Sequence, residues 1–291
     1  MSLIDASASL SPAVPSLRLN DGRAAPQLGL GVWQVPDAEA AGVVRTALGL
    51  GYRSIDTATI YGNERGVGQG IRESGIPREQ VFVTTKLWNT SHGRGATLVA
   101  FDTSLAKLGL DYVDLYLIHW PVASDRRFID SWRAMVSLQQ EGRVRSIGVS
   151  NFNPAHLVQL LDATGVRPVL NQIELHPAFQ QREVSKFNAS LGIVTESWSP
   201  LGQGKLLAQP VIAAVARKWG RTAAQVILRW HLDQGYMVIP KSVHVARLRE
   251  NLGVFDFSLD EADHAAIAAL DDPRGRLGED PEEVGSPRVQ P

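Results

Sequence analysis

Residues 40–57 read AAGVVRTALGLGYRSIDT, and two periods meet inside them. Ala40, Val43, Val44, Ala47 and Leu48 fall at i, i+3, i+4 and i+7, the apolar stripe of a helix packed on one face. Gly49 and Gly51 are read as the stop of that helix. Residues 53–57 then form a short strand that ends on Asp56, an acid where an apolar run closes. Helix, glycine stop and strand make one unit of an alternating α/β chain.

The same unit recurs outward in both directions. Apolar or β-branched runs occupy 81–86, 113–119, 144–150, 169–175, 193–199 and 237–241, with a weaker run at 254–257. Gly109, Gly142, Gly192 and Gly235 stand at similar junctions. Strands joined by helical crossovers are parallel, and eight such units predict one closed (β/α)8 TIM barrel. Ahead of the first unit, residues 17–20 and 26–29 flank Asp21-Gly22, a hairpin turn signal; this β-hairpin is placed at the barrel bottom. The expected organisation is a flexible tail over 1–16, the barrel over 17–270 and a Pro-, Gly- and charge-rich tail over 271–291.

Composition narrows the function. Hydrophobic residues are 44% and charged residues 20% of the 291, an ordinary globular balance. A formal net charge of −1 gives no electrostatic footprint for nucleic acid or an acidic membrane. The chain has no cysteine, which removes disulfides, thiolate metal sites and thiol nucleophiles and fits a cytoplasmic protein. The N-terminus lacks the basic start of a signal peptide, and no stretch reaches the ~18 apolar residues of a membrane span. Nothing indicates an exposed apolar face, so a monomer is expected.

In a barrel of this kind chemistry gathers at the C-terminal ends of the strands. Asp56 ends the first run, Lys86 the second and His119 the third; Ser150 and Asn151 end the fourth, Gln172 lies in the fifth, and Lys241 and Ser242 end the seventh. Buried charges are costly unless paired, so Asp56 and Lys86, on adjacent strands, are read as an ion pair. A tyrosine beside Lys86, here Tyr61, has its phenol pulled down from about 10 and becomes a general acid. His119 then orients a carbonyl or helps deliver the proton.

With these residues in place, the chain resembles the aldo-keto reductases. GYRSIDTATIYGNERGVGQGIRESGI (51–76) is similar to the family's first signature, with Asp56 and Tyr61 at its separation. VTTKLWN carries Lys86 and LYLIHWP carries His119. SIGVSNF, NQIELHP, SWSPLG, IPKSV and RLREN follow in the family's order, over about residues 17–270. SWSPLGQGK and the short loop after His119-Trp120-Pro121 resemble the bacterial 2,5-diketo-D-gluconate reductase group. The resemblance implies an NADPH-dependent oxidoreductase reducing aldehydes or ketones, dicarbonyls and keto-sugars among them. Tyr61 would be the acid, Lys86 held by Asp56 would tune it, and His119 would position the carbonyl. Ser150, Asn151 and Gln172 would hold the nicotinamide carboxamide, with Trp198 stacking on the ring. Ser199, Leu201, Gln203 and Gly204 would line the pyrophosphate. Lys241, Ser242 and Arg247 would take the 2′-phosphate, for which two cations and a hydroxyl are suited; Val243 would also contact the cofactor, and Glu250 and Asn251 would meet the adenine. His244 stands where some relatives have arginine, which bears on the strength of NADPH preference. Trp33, Trp88, Asn89 and Trp120 would line the substrate pocket.

Other readings are weaker. Gly29-Leu30-Gly31 lacks the third glycine of a Rossmann fingerprint, and Gly66, Gly68 and Gly70 have the wrong spacing. His92, His156, His176, His231 and His264 share no ligand spacing, so no metal is expected. The alternative function is an NADPH-binding regulatory or sensor barrel with little turnover.

Overall fold

The computed structural model of the chain describes residues 14–285. Its first feature is the hairpin. Gly22 takes φ +87°, a left-handed value that glycine adopts without steric cost. This turn joins β1 (Ser16–Arg18) to β2 (Ala24–Pro26) in antiparallel register. The second strand lies two residues earlier than the 26–29 reading, and Ser16, assigned to the tail, already belongs to β1; residues 1–13 of that tail lie outside the described residues. Asn20 Nδ2 donates to Pro168 O at 2.8 Å and Gly192 O at 3.2 Å, just ahead of two barrel strands. Leu19 and Ala25 pack on Phe82, Leu115, Leu117, Val169, Leu170 and Met237. The hairpin therefore closes the N-terminal end of the barrel.

The barrel is built from eight parallel strands in chain order: β3 (Leu30–Gly31), β4 (Ser54–Asp56), β5 (Phe82–Leu87), β6 (Val113–Ile118), β7 (Val144–Ser150), β8 (Leu170–Glu174), β9 (Val194–Trp198) and β10 (Met237–Val238). Parallel bridges Leu28↔Val238 and Gly31↔Lys241 join the last strand to the first and close the ring. Around it run α1 (Asp37–Leu50), α2 (Glu64–Glu73), α3 (Arg94–Leu108), α4 (Phe128–Gln140), α5 (Pro154–Thr164), α6 (Arg182–Ser190), α7 (Pro210–Trp219), α8 (Ala223–Asp233), α9 (Val245–Leu252) and α10 (Glu261–Ala268). α9 packs against α1, completing the outer layer, and α10 packs on α7. Among the described residues no helix is long and apolar enough to cross a membrane.

One strand was misread. Residues 254–257 form an irregular loop with no strand; Val254 is fully buried and Phe255 and Phe257 pack against the core, so their apolarity reflects loop packing between α9 and α10. The eighth strand is instead Leu30–Gly31, at the start of the barrel. Two residues flanked by glycine carry no periodicity, and Gly31 is needed because a Cβ there would lie 2.8 Å from Ile239 O. α1 also runs through Gly49 to Leu50, and the stop is Gly51 alone, at φ +115°. The opening stretch keeps its polarity rule: Ala40, Val43, Val44, Ala47 and Leu48 are the buried face of α1. Gly68, on α2, is the tightest approach, since a Cβ would meet Leu108 O at 1.8 Å. Packing of α2 on the end of α3 thus explains one glycine of the rejected fingerprint.

Candidate active site

Side chains from successive strand ends meet in the barrel's C-terminal half. Lys86, fully buried on β5, donates from Nζ to Asp56 Oδ1 at 2.5 Å, to Thr57 O at 3.0 Å and to Tyr61 Oη at 3.4 Å. An ammonium has three donors, and all three are engaged. β4 and β5 are paired neighbours, which puts the acid and the base together, and the helical turn Thr59–Tyr61 brings the phenol round to them. Asp56 Oδ2 accepts a second bond from Gln172 Nε2 at 2.9 Å. His119 follows β6 and meets Tyr61 edge-on at 5.9 Å and Trp88 at 5.2 Å between ring centroids.

The electrostatics differ from the sequence expectation at Tyr61. Burial holds its phenol above its usual value of 10; the Lys86 charge pulls downward, and Asp56 and Glu196 oppose it. The lysine's contribution has the expected sign but desolvation outweighs it. The hydroxyl is accordingly protonated at neutral pH, the form a proton donor requires. Burial works against the Lys86 charge too, yet Asp56 and Tyr61 together raise it. His119 falls well below 6.5 through burial and the nearby Lys86 charge, so the imidazole is neutral.

Asn151 and Trp198 form a second arm. Asn151 Nδ2 donates to His119 O at 3.0 Å and Ser150 Oγ at 3.1 Å, while its Oδ1 accepts from Trp198 Nε1 at 2.8 Å. Ser150 Oγ donates to Gln172 O. Asn151, Ser199, Gln203 and Gln34 all take positive φ, between 50° and 62°; left-handed non-glycine backbone is uncommon and clusters at functional sites.

These groups wall a cavity of about 450 Å³. Trp33, Asp56, Tyr61, Trp88, His119, Trp120, Asn151, Gln172 and Trp198 line it, all named from the sequence, and Ser199, Gln203 and Lys241 line its far end. A second cavity of about 550 Å³ shares Trp33, Ser199, Gln203 and Lys241 and continues to Leu201, Gly204, Ser242, Arg247, Glu250 and Asn251. Neither Lys241 nor Arg247 forms an ion pair among the described residues. The joined groove suits an extended molecule with an anionic end at Lys241 and Arg247 and its other end against Tyr61 and His119. Four sequence candidates stay off these walls. Lys86 and Ser150 lie behind them, Val243 packs on the core, and Asn89 Oδ1 is buried without a partner among the described residues.

Several lining residues were not foreseen. Ile60 is the neighbour of Tyr61, and Leu277 and Gly278 come from the C-terminal segment. That segment is irregular and mostly exposed or half-buried over 271–285, and at Leu277 and Gly278 it also reaches the cavity wall. Glu174, buried at the end of β8, accepts the backbone N–H of Leu277 at 2.6 Å and of Gly278 at 2.8 Å. A Cβ on Gly278 would lie 2.6 Å from the Trp198 ring. No local pattern in 271–285 announces this docking. Glu196 was also missed, although an ionisable residue inside the apolar run 193–199 was a readable signal.

The aldo/keto reductase family model matches residues 25–272. An aldo-keto reductase of Mycobacterium sp. (strain JLS) is 54% identical over 267 residues, 92% of this chain and 96% of that protein. The methylglyoxal reductase DkgA of Escherichia coli (strain K12) is 51% identical over 271 residues, 92% and 98% of the two chains. Among solved structures, a mutant of Gox0644 in complex with NADPH superposes with TM-score 0.89 at 50% identity, covering 92% of this chain and 98% of that one. An aldo-keto reductase of Bombyx mori in complex with NADP gives TM-score 0.85 at 38% identity, covering 91% and 94%.

Proposed function

The chain belongs to the aldo/keto reductase family, and from that membership we propose that it reduces aldehydes and ketones with NADPH, Tyr61 giving the proton. The observation that carries the reading is the Lys86 ammonium, tied to Asp56 and directed at the Tyr61 hydroxyl on the wall of an aromatic cavity. The setting is a cytoplasmic monomer acting on small carbonyl compounds. The bacterial methylglyoxal reductases among its relatives make short dicarbonyls the first substrates to try.

The groove fits the cofactor: an aromatic face at Trp198, left-handed backbone at Gly202, Gln203 and Gly204, and two unpaired cations at the far end. When bound, NADPH supplies the hydride. Gln172, with Ser150 and Asn151, orients the carboxamide, and Trp198 supports the ring. Ser199, Leu201, Gln203 and Gly204 take the pyrophosphate; Lys241, Ser242 and Arg247, with Val243 beside them, take the 2′-phosphate. Glu250 and Asn251 border the adenine.

The chain's own chemistry is proton delivery. A carbonyl oxygen lies between the Tyr61 hydroxyl and the His119 ring, and the phenol proton passes to it as negative charge develops. Lys86 stabilises the phenolate left behind, and the neutral His119 donates a hydrogen bond without competing as an acid. Trp33, Trp88 and Trp120 exclude water and hold the organic part of the substrate, with Asn89 behind Trp88.

The direct test is NADPH oxidation by the purified protein with a panel of aldehydes and dicarbonyls. Turnover with at least one is expected; tight NADPH binding with no turnover on any would favour the sensor barrel. In the same assay Arg247→Ala raises the NADPH Kd on the order of 10-fold or more and leaves NADH nearly unchanged, as loss of one phosphate-directed cation requires. Equal weakening of both cofactors would remove Arg247 from the 2′-phosphate.

A further inference from the structure

Glu196 has no part in the mechanism above, yet it is joined to it by hydrogen bonds. It sits on β9 directly opposite Gln172 of β8 and is only 2% exposed. Its Oε2 accepts from Gln172 Nε2 at 2.6 Å. The same nitrogen reaches Asp56 Oδ2 at 2.9 Å, so one unbroken chain runs Glu196–Gln172–Asp56–Lys86–Tyr61. Resting on the reductase reading, we infer that Glu196 is a positioning residue of this site, fixing the Gln172 amide and adding a second carboxyl to the Asp56–Lys86–Tyr61 chain.

The first half of the role is geometric. The Asp56 carboxylate beside this amide atom requires it to be nitrogen, since an amide oxygen there would face the carboxylate lone pairs, and the Glu196 carboxyl accepts from its second N–H through its carbonyl oxygen. Gln172 lines the cavity, and this constraint leaves its Oε1 as the acceptor it offers a bound molecule. Without Glu196 only one acceptor, Asp56, holds the amide, and the amide gains rotational freedom.

The second half is charge. The groups acting on Glu196 are Asp56 from β4, Lys86 from β5 and the Gln172 amide from β8; its register neighbour on β10 is the apolar Met237. Asp56 and Lys86 already balance. Burial, reinforced by Asp56, pushes the Glu196 carboxyl up to about 8, against the pull of Gln172 and Lys86. At neutral pH Tyr61 therefore faces one carboxylate. Above that range it faces two, and the added negative charge opposes formation of the phenolate.

The experiment compares wild type with Glu196→Gln, which keeps an acceptor and cannot ionise. Methylglyoxal reduction at saturating NADPH is followed over roughly pH 6 to 9.5, bracketing the shifted carboxyl. Wild-type kcat falls about three- to tenfold in a step near that carboxyl's titration, and the variant lacks the step. Thermal melting without substrate is the second readout. An acid whose folded pKa is raised contributes full stability below its unfolded value of 4.5, and loses it as pH climbs to about 8. The Tm of Glu196→Gln relative to wild type therefore rises with pH and levels off above that point; Glu196→Met replaces it should the first variant not fold. Superimposable pH–rate profiles with parallel melting curves would overturn the role of Glu196. Absence of wild-type turnover on every carbonyl would instead sink the reductase reading, and the melting comparison would still decide the state of the carboxyl.

Discussion

Tyr61→Phe lowers kcat for carbonyl reduction on the order of 10²-fold or more, while the NADPH Kd stays within about a factor of two. The substitution removes one oxygen and keeps the ring. Its edge-on contact with His119 survives, and so does the lysine beneath the ring, 5.1 Å from the centroid. The residues assigned to the cofactor's far end lie in the second cavity, which Tyr61 does not line. Only the proton donor is lost, so binding and chemistry separate. Steady-state kinetics with fluorescence titration of NADPH measures both. A variant that lost cofactor affinity in proportion to rate would place Tyr61 in a structural role.

Lys86→Met has the largest expected effect on stability. The lysine is fully buried and its Asp56 partner nearly so. Removing one member of a buried pair leaves an uncompensated charge, a cost of about 3–5 kcal/mol. Gln172 remains on Asp56 Oδ2 but cannot neutralise it. Urea unfolding should show the loss, and Lys86→Met combined with Asp56→Asn should recover most of it, because neither charge is then stranded. Activity should not return in the double variant, since Tyr61 still lacks its cation. A single variant that cost under about 1 kcal/mol would mean the pair is more hydrated than its burial implies.

The barrel and the side chains at its strand ends were legible because both rest on local order. Seven of the eight apolar runs are strands whose last residues point to one rim, so Asp56, Lys86, His119 and Gln172 could be gathered without knowing a single distance. The misreadings share a cause. Leu30–Gly31 is too short to show a period and is a strand only because β4 and β10 flank it. The run 254–257 is apolar for packing reasons that mimic a strand. Tyr61 was expected to be acidified by its lysine; how much water the fold removes from the phenol decides the net direction, and no neighbour in sequence reports that.

The sequence by itself determined the alternation of strands and helices, the closure it implies, and which side chains stand at the strand ends, because periodicity and strand direction act over a few residues. Only the tertiary structure decided which strand completes the ring, that Glu196 shares an amide with Asp56, and that residues 277 and 278 reach the cavity wall, held by Glu174. The hydrogen bonds among them join positions 24 to 116 residues apart in the chain. Desolvation and non-local hydrogen bonds are properties of the packed interior, and they exist only once the barrel has closed.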